Sequence, residues 1–226
     1  FGDSSIYFDG SDDYLEVGTS DTDGLVIASS TDFTVEFWLR FGTVSDRQTL
    51  FSWWTGNNNN RFRMEFGKVS NQLHLDLGTY GNWAVSTTNN PTWDTSTWYH
   101  FAVVREGTGS GNTKVYVNGV FLDSIQYTGA IGTTSDSQGL RLAFLTSDAT
   151  GDPDLQGYME EFRWTVGTAR YSGTSTSSWG NFSEITSAFG TGSSNPPVAD
   201  DDYAKFTSTG IEGRSYAEVK TDLSLN

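Results

Sequence analysis

The stretch that decides the fold is Thr31-Asp32-Phe33-Thr34-Val35-Glu36-Phe37-Trp38-Leu39-Arg40-Phe41, in which apolar and polar residues alternate. Successive side chains of a β-strand point to opposite faces, so the odd-numbered residues from Phe33 to Phe41 share one face. The opposite face carries Thr34, Glu36, Trp38 and Arg40. The pattern therefore predicts a long strand that buries one of its two faces.

The same alternation recurs along the chain, with turn signals between its occurrences at intervals of about ten residues, as in β-sandwiches. It recurs at Phe62, Met64 and Phe66, at Leu73, Leu75 and Leu77, and at Leu140, Leu142 and Phe144. Asn118-Gly119 lies between two apolar runs and predicts a two-residue type I′ hairpin, because both turn positions need positive φ. No helical periodicity appears before residue 210. The predicted fold is an all-β, two-sheet antiparallel β-sandwich of the jelly-roll type.

Composition excludes several classes of function. The 226 residues carry a formal net charge of -15, which disfavours nucleic acid and anionic membranes as partners. Cysteine is absent, so the chain has neither a disulfide framework nor a thiol nucleophile. No apolar run is long enough for membrane insertion. The chain is long enough to bury roughly 70% of its unfolded surface, which is sufficient for one large domain.

A change of composition divides the chain. Residues 1–182 form the predicted jelly-roll domain, and residues 183–199, which are rich in Ser, Thr and Gly and end in a pair of prolines, form a predicted linker. Residues 200–226 are predicted to be a short C-terminal connecting or oligomerisation segment. Within it, Ser215-Tyr216-Ala217-Glu218 has the spacing of a capping box and predicts one short helix. The alternative is a frayed tail, because so short a helix is marginal alone.

Three stretches of this sequence resemble laminin-G-like domains, a branch of the concanavalin A-like jelly rolls. They are the opening strand and loop from Tyr7 to Leu15, the strand from Phe33 to Leu39, and the run Gly157-Tyr158-Met159-Glu160-Glu161-Phe162-Arg163-Trp164, which continues into Gly167-Thr168-Ala169-Arg170-Tyr171-Ser172. The closing Ala169-Arg170-Tyr171 turn resembles versions carried by bacteriophage tail and virion proteins. Residues 202–226 resemble a junction in marine phage tail-fibre proteins.

The resemblance implies a non-enzymatic virion appendage, a tail-fibre or capsid-decoration domain that forms a homotrimer. Its partners would be host surface glycans or other virion proteins, and its location would be the virion surface. The alternative is a secreted or cell-surface bacterial carbohydrate-binding module, located outside the cell. These inferences are analogies, since fold alone does not fix function.

A glucanase-like hydrolase is the third alternative. It needs two carboxylates about 5–9 Å apart across a cleft, and no strand carries the Glu-x-Asp-x-Glu type of run that would supply them. In a regular strand, Glu160 and Glu161 would point to opposite faces. The only two histidines, His74 and His100, lie within predicted strands and are expected to be structural rather than catalytic. The sequence therefore predicts no catalytic residue.

Calcium is the one cofactor that the resemblance implies, because laminin-G-like domains often carry a Ca²⁺ ion, which prefers carboxylate and carbonyl oxygens. Two groups of acidic residues are candidate ligands. The first joins Asp9, Asp12 and Asp13 of the opening loop to Glu160 or Glu161 of the last strand, and the second comprises Asp148, Asp152 and Asp154. The alternative for both groups is a solvated acidic loop.

Candidate sugar contacts are aromatic residues in loops that also carry amide or carboxylate groups. Rings can stack on a sugar face while amides bind hydroxyls. The candidates are Trp54, Asn57, Tyr80, Trp83 and Trp93. Trp38, Trp98 and Trp164 lie in strands and are expected to pack in the structure. The alternative is that the loop rings cap the ends of the sandwich.

Overall fold

A computed structural model describes most of the first 174 residues and a short hairpin near the carboxy terminus. The described residues are 4–17, 24–53, 61–67, 72–78, 83–84, 90–132, 139–144, 154–174, 203–207 and 210–214. The chain divides into two compact units, Phe1–Ser178 and Trp179–Asn226. The predicted linker at 183–199 and the predicted helix at Ser215 lie outside the described residues. No helix among the described residues has the length and apolar character needed to cross a membrane.

The described residues of the first unit form two antiparallel sheets of six strands each, which confirms the predicted β-sandwich. Sheet A consists, in spatial order, of β1 (Ile6–Asp9), β12 (Gln156–Val166), β3 (Phe33–Phe41), β8 (Tyr99–Arg105), β9 (Thr113–Val117) and β10 (Val120–Ile125). Sheet B consists of β2 (Leu15–Val17), β11 (Leu140–Leu142), β4 (Gln48–Trp53), β5 (Arg61–Phe66), β6 (Leu73–Gly78) and β7 (Trp83–Ala84). Because β1 and β2 are consecutive, the chain crosses between the sheets at its start.

The core lies between the sheets and is built from the predicted apolar faces. The alternate residues of β3 from Phe33 to Phe41 are buried, as are Phe62, Met64 and Phe66 of β5. Aromatic rings join the two sheets: the Phe37 ring lies 6.1 Å from Phe51, and the Phe41 ring lies 4.6 Å from Phe66. Apolar alternation in the sequence therefore identifies the inner faces correctly.

The predicted hairpin at Asn118-Gly119 is confirmed. Val117 pairs with Val120 across it, and the two turn residues have φ of 51° and 76°. Positive φ at both positions is the requirement of a type I′ turn, and its twist matches that of the flanking strands.

The chain beyond β12 crosses back over the outer face of sheet A. We call residues 168–173 the strap. Thr34 Oγ1 donates a hydrogen bond to the carbonyl of Thr168 at 3.0 Å and accepts one from the Arg170 N–H at 2.9 Å. Tyr116 donates its hydroxyl to the carbonyl of Gly173 at 2.9 Å. The resemblance to a closing turn thus corresponds to a segment held on the sheet by hydrogen bonds.

In the second unit the structure describes two strands, β13 (Tyr203–Thr207) and β14 (Gly210–Arg214), which pair in antiparallel register. The sequence pattern does not predict this hairpin.

Candidate functional site

The outer face of sheet A carries a row of large side chains at one end of the sheet. Tyr7 of β1 pairs with Tyr158 of β12, and Tyr158 pairs with Arg40 of β3. Trp98 directly precedes Tyr99, the partner of Leu39, and so lies beside Arg40. We call Tyr7, Tyr158, Arg40 and Trp98 the aromatic row. Their chain neighbours Phe8, Met159, Leu39 and Tyr99 are buried, so the row lies on the face opposite the core.

The side chains of the aromatic row contact one another. The Tyr7 and Tyr158 rings are 4.8 Å apart, and the Arg40 guanidinium carbon lies 4.3 Å from the Tyr158 ring centre and 5.7 Å from that of Trp98. At these distances the cation is attracted to the face of each ring. Tyr7 is 51% exposed and the other three are half-buried. The row is therefore a solvent-facing surface whose members hold each other in place.

A second row continues this surface toward the middle of the sheet. Trp38 pairs with Glu160 on one side and with His100 on the other. The Trp38 and His100 rings are 5.0 Å apart, and Trp38 is half-buried. Together the two rows combine exposed ring faces with charged groups, a combination suited to stacking and hydrogen bonding with a polar ligand.

A β-bulge lies beside these rows. The register between β12 and β3 shifts between Glu160 and Arg163, and Glu161 has φ of 53°. A residue other than glycine in this conformation is strained, and bulges often re-aim side chains next to binding sites. The strand is therefore irregular here. The prediction that Glu160 and Glu161 point to opposite faces assumed a regular strand, and that assumption does not hold at the bulge.

Glu36 is a buried carboxylate farther along the same face of β3. It accepts hydrogen bonds from Arg163 Nε at 2.7 Å and from the Tyr171 hydroxyl, and His100 Nε2 lies 3.2 Å from Glu36 Oε2. Burial alone would raise the pKa of Glu36, but these hydrogen bonds from His100, Tyr171 and Arg163 outweigh it and hold the pKa at about 2. A carboxylate held ionised in this way does not serve as a general acid at neutral pH. Glu36 fastens the strap to the sheet.

The opening loop approaches Asp154. Asp154 Oδ2 accepts a hydrogen bond from the Asp12 N–H at 2.9 Å, and Asp13 Oδ2 accepts one from the Asp9 N–H at 3.1 Å. Burial raises the pKa of Asp154, and the negative charges of Asp12, Asp13 and Asp9 raise it further. The structure thus brings one member of the second predicted acidic group to the first group. Glu160 lies elsewhere, beside Trp38.

The fit of these residues to calcium is partial. Asp154 Oδ1 is buried and has no hydrogen-bond partner, so it is an oxygen that a cation would satisfy. Nevertheless, among the residues described, no group of three or more acidic or histidine side chains is arranged to hold a metal ion. Asp148 and Asp152 lie outside the described residues. Calcium binding at this loop stays a prediction.

The predicted sugar contacts are mostly beyond what the structure describes. Trp54, Asn57 and Tyr80 lie outside the described residues, and for Trp83 only the backbone pairing with Leu75 in β7 is described. Trp93 packs against the core. Its ring stacks on Phe101 at 5.8 Å with an interplanar angle of 3° and lies 4.9 Å from Tyr99. These contacts hold the partly buried ring against the core, and its role as a sugar contact stays a prediction.

The aromatic row does not appear among the sequence-predicted site residues. The alternation in β3 already places Trp38 and Arg40 on the face opposite the core. Trp98, however, is predicted to pack, and nothing local in the sequence indicates that Tyr7 and Tyr158 lie beside Arg40. The aromatic row forms only through the register between strands that are distant in the sequence, and the sequence does not show that register.

Comparison with known proteins places this architecture among the concanavalin A-like folds. Residues 9–170 match a family model described as the concanavalin A-like lectin/glucanases superfamily, of the laminin G type. Among solved structures, the native heptameric SAP-like pentraxin from Limulus polyphemus is 15% identical with a TM-score of 0.51, over 71% of this chain and 74% of that one. A Bacteroides ovatus protein, provisionally described as carbohydrate binding, is 19% identical with a TM-score of 0.51, over 69% of this chain and 42% of that one. No curated protein matches. At these identities the solved structures show a shared fold.

Proposed function

The chain belongs to the laminin G-like family of the concanavalin A-like lectin/glucanases superfamily, and we propose that it is a non-catalytic carbohydrate-binding domain. The observation that carries the proposal is the aromatic row on the open face of sheet A. The provisional description of the Bacteroides ovatus protein as carbohydrate binding supports it. Glu36, the buried carboxylate on this face, is ionised and occupied by hydrogen bonds and so is not available as the general acid of a hydrolase.

The dimensions of the aromatic row favour an oligosaccharide as ligand. Neighbouring strands are about 4.8 Å apart, so four side chains across adjacent strands span on the order of 15 Å. That span exceeds one sugar ring and suits several rings in a chain. The apolar faces of the sugars would lie on Tyr7, Tyr158 and Trp98, and their hydroxyls would reach polar groups such as Glu160.

The proposal is tested by screening the protein on a glycan array and measuring the hits by calorimetry. Tyr7→Ala and Trp98→Ala should each weaken binding by about tenfold, because each removes a ring on which sugar stacks. Tyr14→Ala is the matched control, since Tyr14 is a similarly exposed ring but contacts Arg141 and Phe144 near sheet B.

Binding that is insensitive to Tyr7→Ala and Trp98→Ala would exclude the aromatic row. If binding were instead lost in Trp54→Ala or Trp83→Ala, the sugar site would lie at the loops predicted from the sequence. Failure to bind any glycan would overturn the proposed function of the chain.

Calcium at the opening loop is a second part of the proposal. Asp154 Oδ1 would ligate the ion, whose charge would offset the repulsion that Asp154 receives from the neighbouring Asp12 and Asp13 carboxylates. Its contribution would be to order the loop that follows β1, the strand that carries Tyr7.

We also propose that the domain acts at a surface, either as a host-binding part of a virion appendage or as an extracellular bacterial carbohydrate-binding module. Both contexts would use the same face of sheet A. They differ in assembly, because the appendage would be a homotrimer. A mass of three chains by light scattering would favour the appendage, and a mass of one chain would favour the module.

A further inference from the structure

Arg40 differs from the other arginine side chains that the structure describes. Each of the others meets oxygen: Arg47 pairs with Glu65, Arg63 with Asp76, Arg141 with Glu16, Arg163 and Arg170 with Glu36, and Arg105 donates to the carbonyls of Thr31, Gly129 and Ala28. Arg40 has no hydrogen bond or ion pair with any described residue. Its contacts are the rings of Tyr158 and Trp98.

Carboxylates that could pair with Arg40 are abundant in this chain. The chain has 28 acidic residues against 13 basic ones. Glu160 lies two residues from Tyr158 in β12 and pairs with Trp38, two residues from Arg40, yet no ion pair joins Glu160 to Arg40. The guanidinium is thus held by aromatic faces, and no carboxylate in the part of the chain that the structure describes pairs with it.

Ring contact leaves the hydrogen-bonding capacity of Arg40 intact. The five N–H donors of a guanidinium lie in its own plane, so stacking on a ring occupies its face and spares its edges. Those edges match the two oxygens of a carboxylate or a sulfate and can bind them in a bidentate fashion. Tyr158 and Trp98 restrict the side chain before any ligand arrives, which lowers the entropic cost of binding.

We propose that the ligand of the aromatic row is an anionic sugar, with its carboxylate or sulfate on Arg40 and its ring on the neighbouring aromatic faces. This inference rests on the proposed carbohydrate-binding function and specifies its ligand class. The net charge of the chain opposes an anionic ligand at long range. At about 0.15 M salt, however, charges beyond about 8 Å are largely screened, so contact at Arg40 decides the affinity.

The test uses pairs of oligosaccharides that differ in one anionic group, measured by calorimetry at about 0.15 M salt. Trigalacturonate and its methyl ester test a carboxylate, and a sulfated galactan oligosaccharide and its desulfated form test a sulfate. The protein should bind the charged member of at least one pair about tenfold more tightly, as expected for a charge-assisted hydrogen-bonded pair. Which pair shows the preference identifies the anionic group.

Arg40→Gln should abolish this preference, so that the charged and neutral members of a pair bind equally, and Arg40→Lys should keep only part of it because lysine lacks the bidentate fork. Arg141→Gln is the matched control. Arg141 also lies over a tyrosine, at 5.0 Å from the Tyr14 ring, but is paired with Glu16 in sheet B. Its replacement should leave the preference intact. Thermal melting of each variant establishes that it is folded.

If charged and neutral sugars bind with equal affinity, and Trp98→Ala abolishes the binding of both, the anionic inference is overturned and the proposed function stands. Retention of the preference in Arg40→Gln would also overturn it. If no sugar binds but an acidic hexapeptide does, and Arg40→Gln abolishes that binding, the ligand of the aromatic row would be a protein rather than a sugar. Binding of no sugar and no peptide would overturn both proposals.

Discussion

Glu36 shows how one residue can join several parts of the fold. Its carboxylate lies on β3, and its hydrogen-bond donors come from β8, β12 and the strap. An unpaired buried charge is costly, so this carboxylate is compatible with burial only because donors surround it. Glu36, His100 and the stretch from Arg163 to Tyr171 are far apart in the sequence, and this carboxylate links them.

The pKa of Glu36 gives the first prediction at the residue scale. Because its folded-state pKa of about 2 lies below the ordinary value of 4.5, Glu36 stabilises the protein above pH 4.5 and loses that contribution as the pH falls toward 2. The loss should reach about 3 kcal/mol in the free energy of unfolding. Urea unfolding of the protein and of Glu36→Gln across this pH range measures it. Equal slopes for the two proteins would contradict the assignment.

Asp154 gives a prediction of opposite sign. Its folded-state pKa is raised, so its ionisation is unfavourable in the folded protein and stability falls as pH rises through that pKa. Without divalent ions at neutral pH, Asp154→Asn should therefore raise the melting temperature. Calcium should raise the melting temperature of the unmodified protein and have little effect on the variant, because its binding stabilises only the folded state.

Asp94→Asn is the control for this experiment. Hydrogen bonds from Thr97 and Ser96 lower the pKa of Asp94 to about 2, so its replacement should lower the melting temperature. Identical melting temperatures of the unmodified protein in calcium and in chelator would rule out the proposed calcium site.

The strap is the feature that matters most at the scale of elements. It follows the last strand of sheet A and covers part of an outer face that would otherwise expose the Glu36 network. The aromatic row lies at the other end of the same strands, where the strap makes none of the hydrogen bonds described above. One strand pair, β3 and β12, thus supplies both a region that the strap covers and a solvent-facing region that carries the aromatic row.

Tyr171→Phe tests how the strap is held. The substitution removes the hydroxyl that donates to Glu36 and should lower the free energy of unfolding by about 1–3 kcal/mol, since the bond is buried and its acceptor is charged. Tyr116→Phe removes a bond from the same face to the neutral carbonyl of Gly173 and should cost less. Urea unfolding compares them. A larger effect for Tyr116→Phe would contradict the role given to Glu36.

At the scale of the whole molecule, the sandwich places the aromatic row next to an open edge. β1 is the first strand of sheet A and β2 the first strand of sheet B, and both expose apolar side chains, among them Ile6, Tyr7 and Leu15. Among the described strands β1 forms the edge of sheet A, so the aromatic row reaches that edge through Tyr7. Exposed edges favour association between chains, and the net charge of -15 opposes it.

The inner faces of the sandwich could be read from the sequence because they depend on a local rule. Side chains alternate along a strand, so Phe33 to Phe41 identify their own buried face without reference to any other strand. The type I′ hairpin at Asn118-Gly119 follows for the same reason, since its φ requirement concerns only the two turn residues.

The candidate site depended on tertiary structure because its residues become neighbours only through strand register. Alternation places Arg40 on the outer face, but long-range pairing sets Tyr158 and then Tyr7 beside it. Beyond these pairs, the bulge between Glu160 and Arg163 shifts the register of β12 against β3, and a pattern of apolar residues does not reveal that shift. The sequence by itself determined the family, the alternating strands of the sandwich and their buried faces, but not the hairpin of β13 and β14. The meeting of Tyr7, Tyr158, Arg40 and Trp98 was decided by hydrogen bonding between strands distant in the chain.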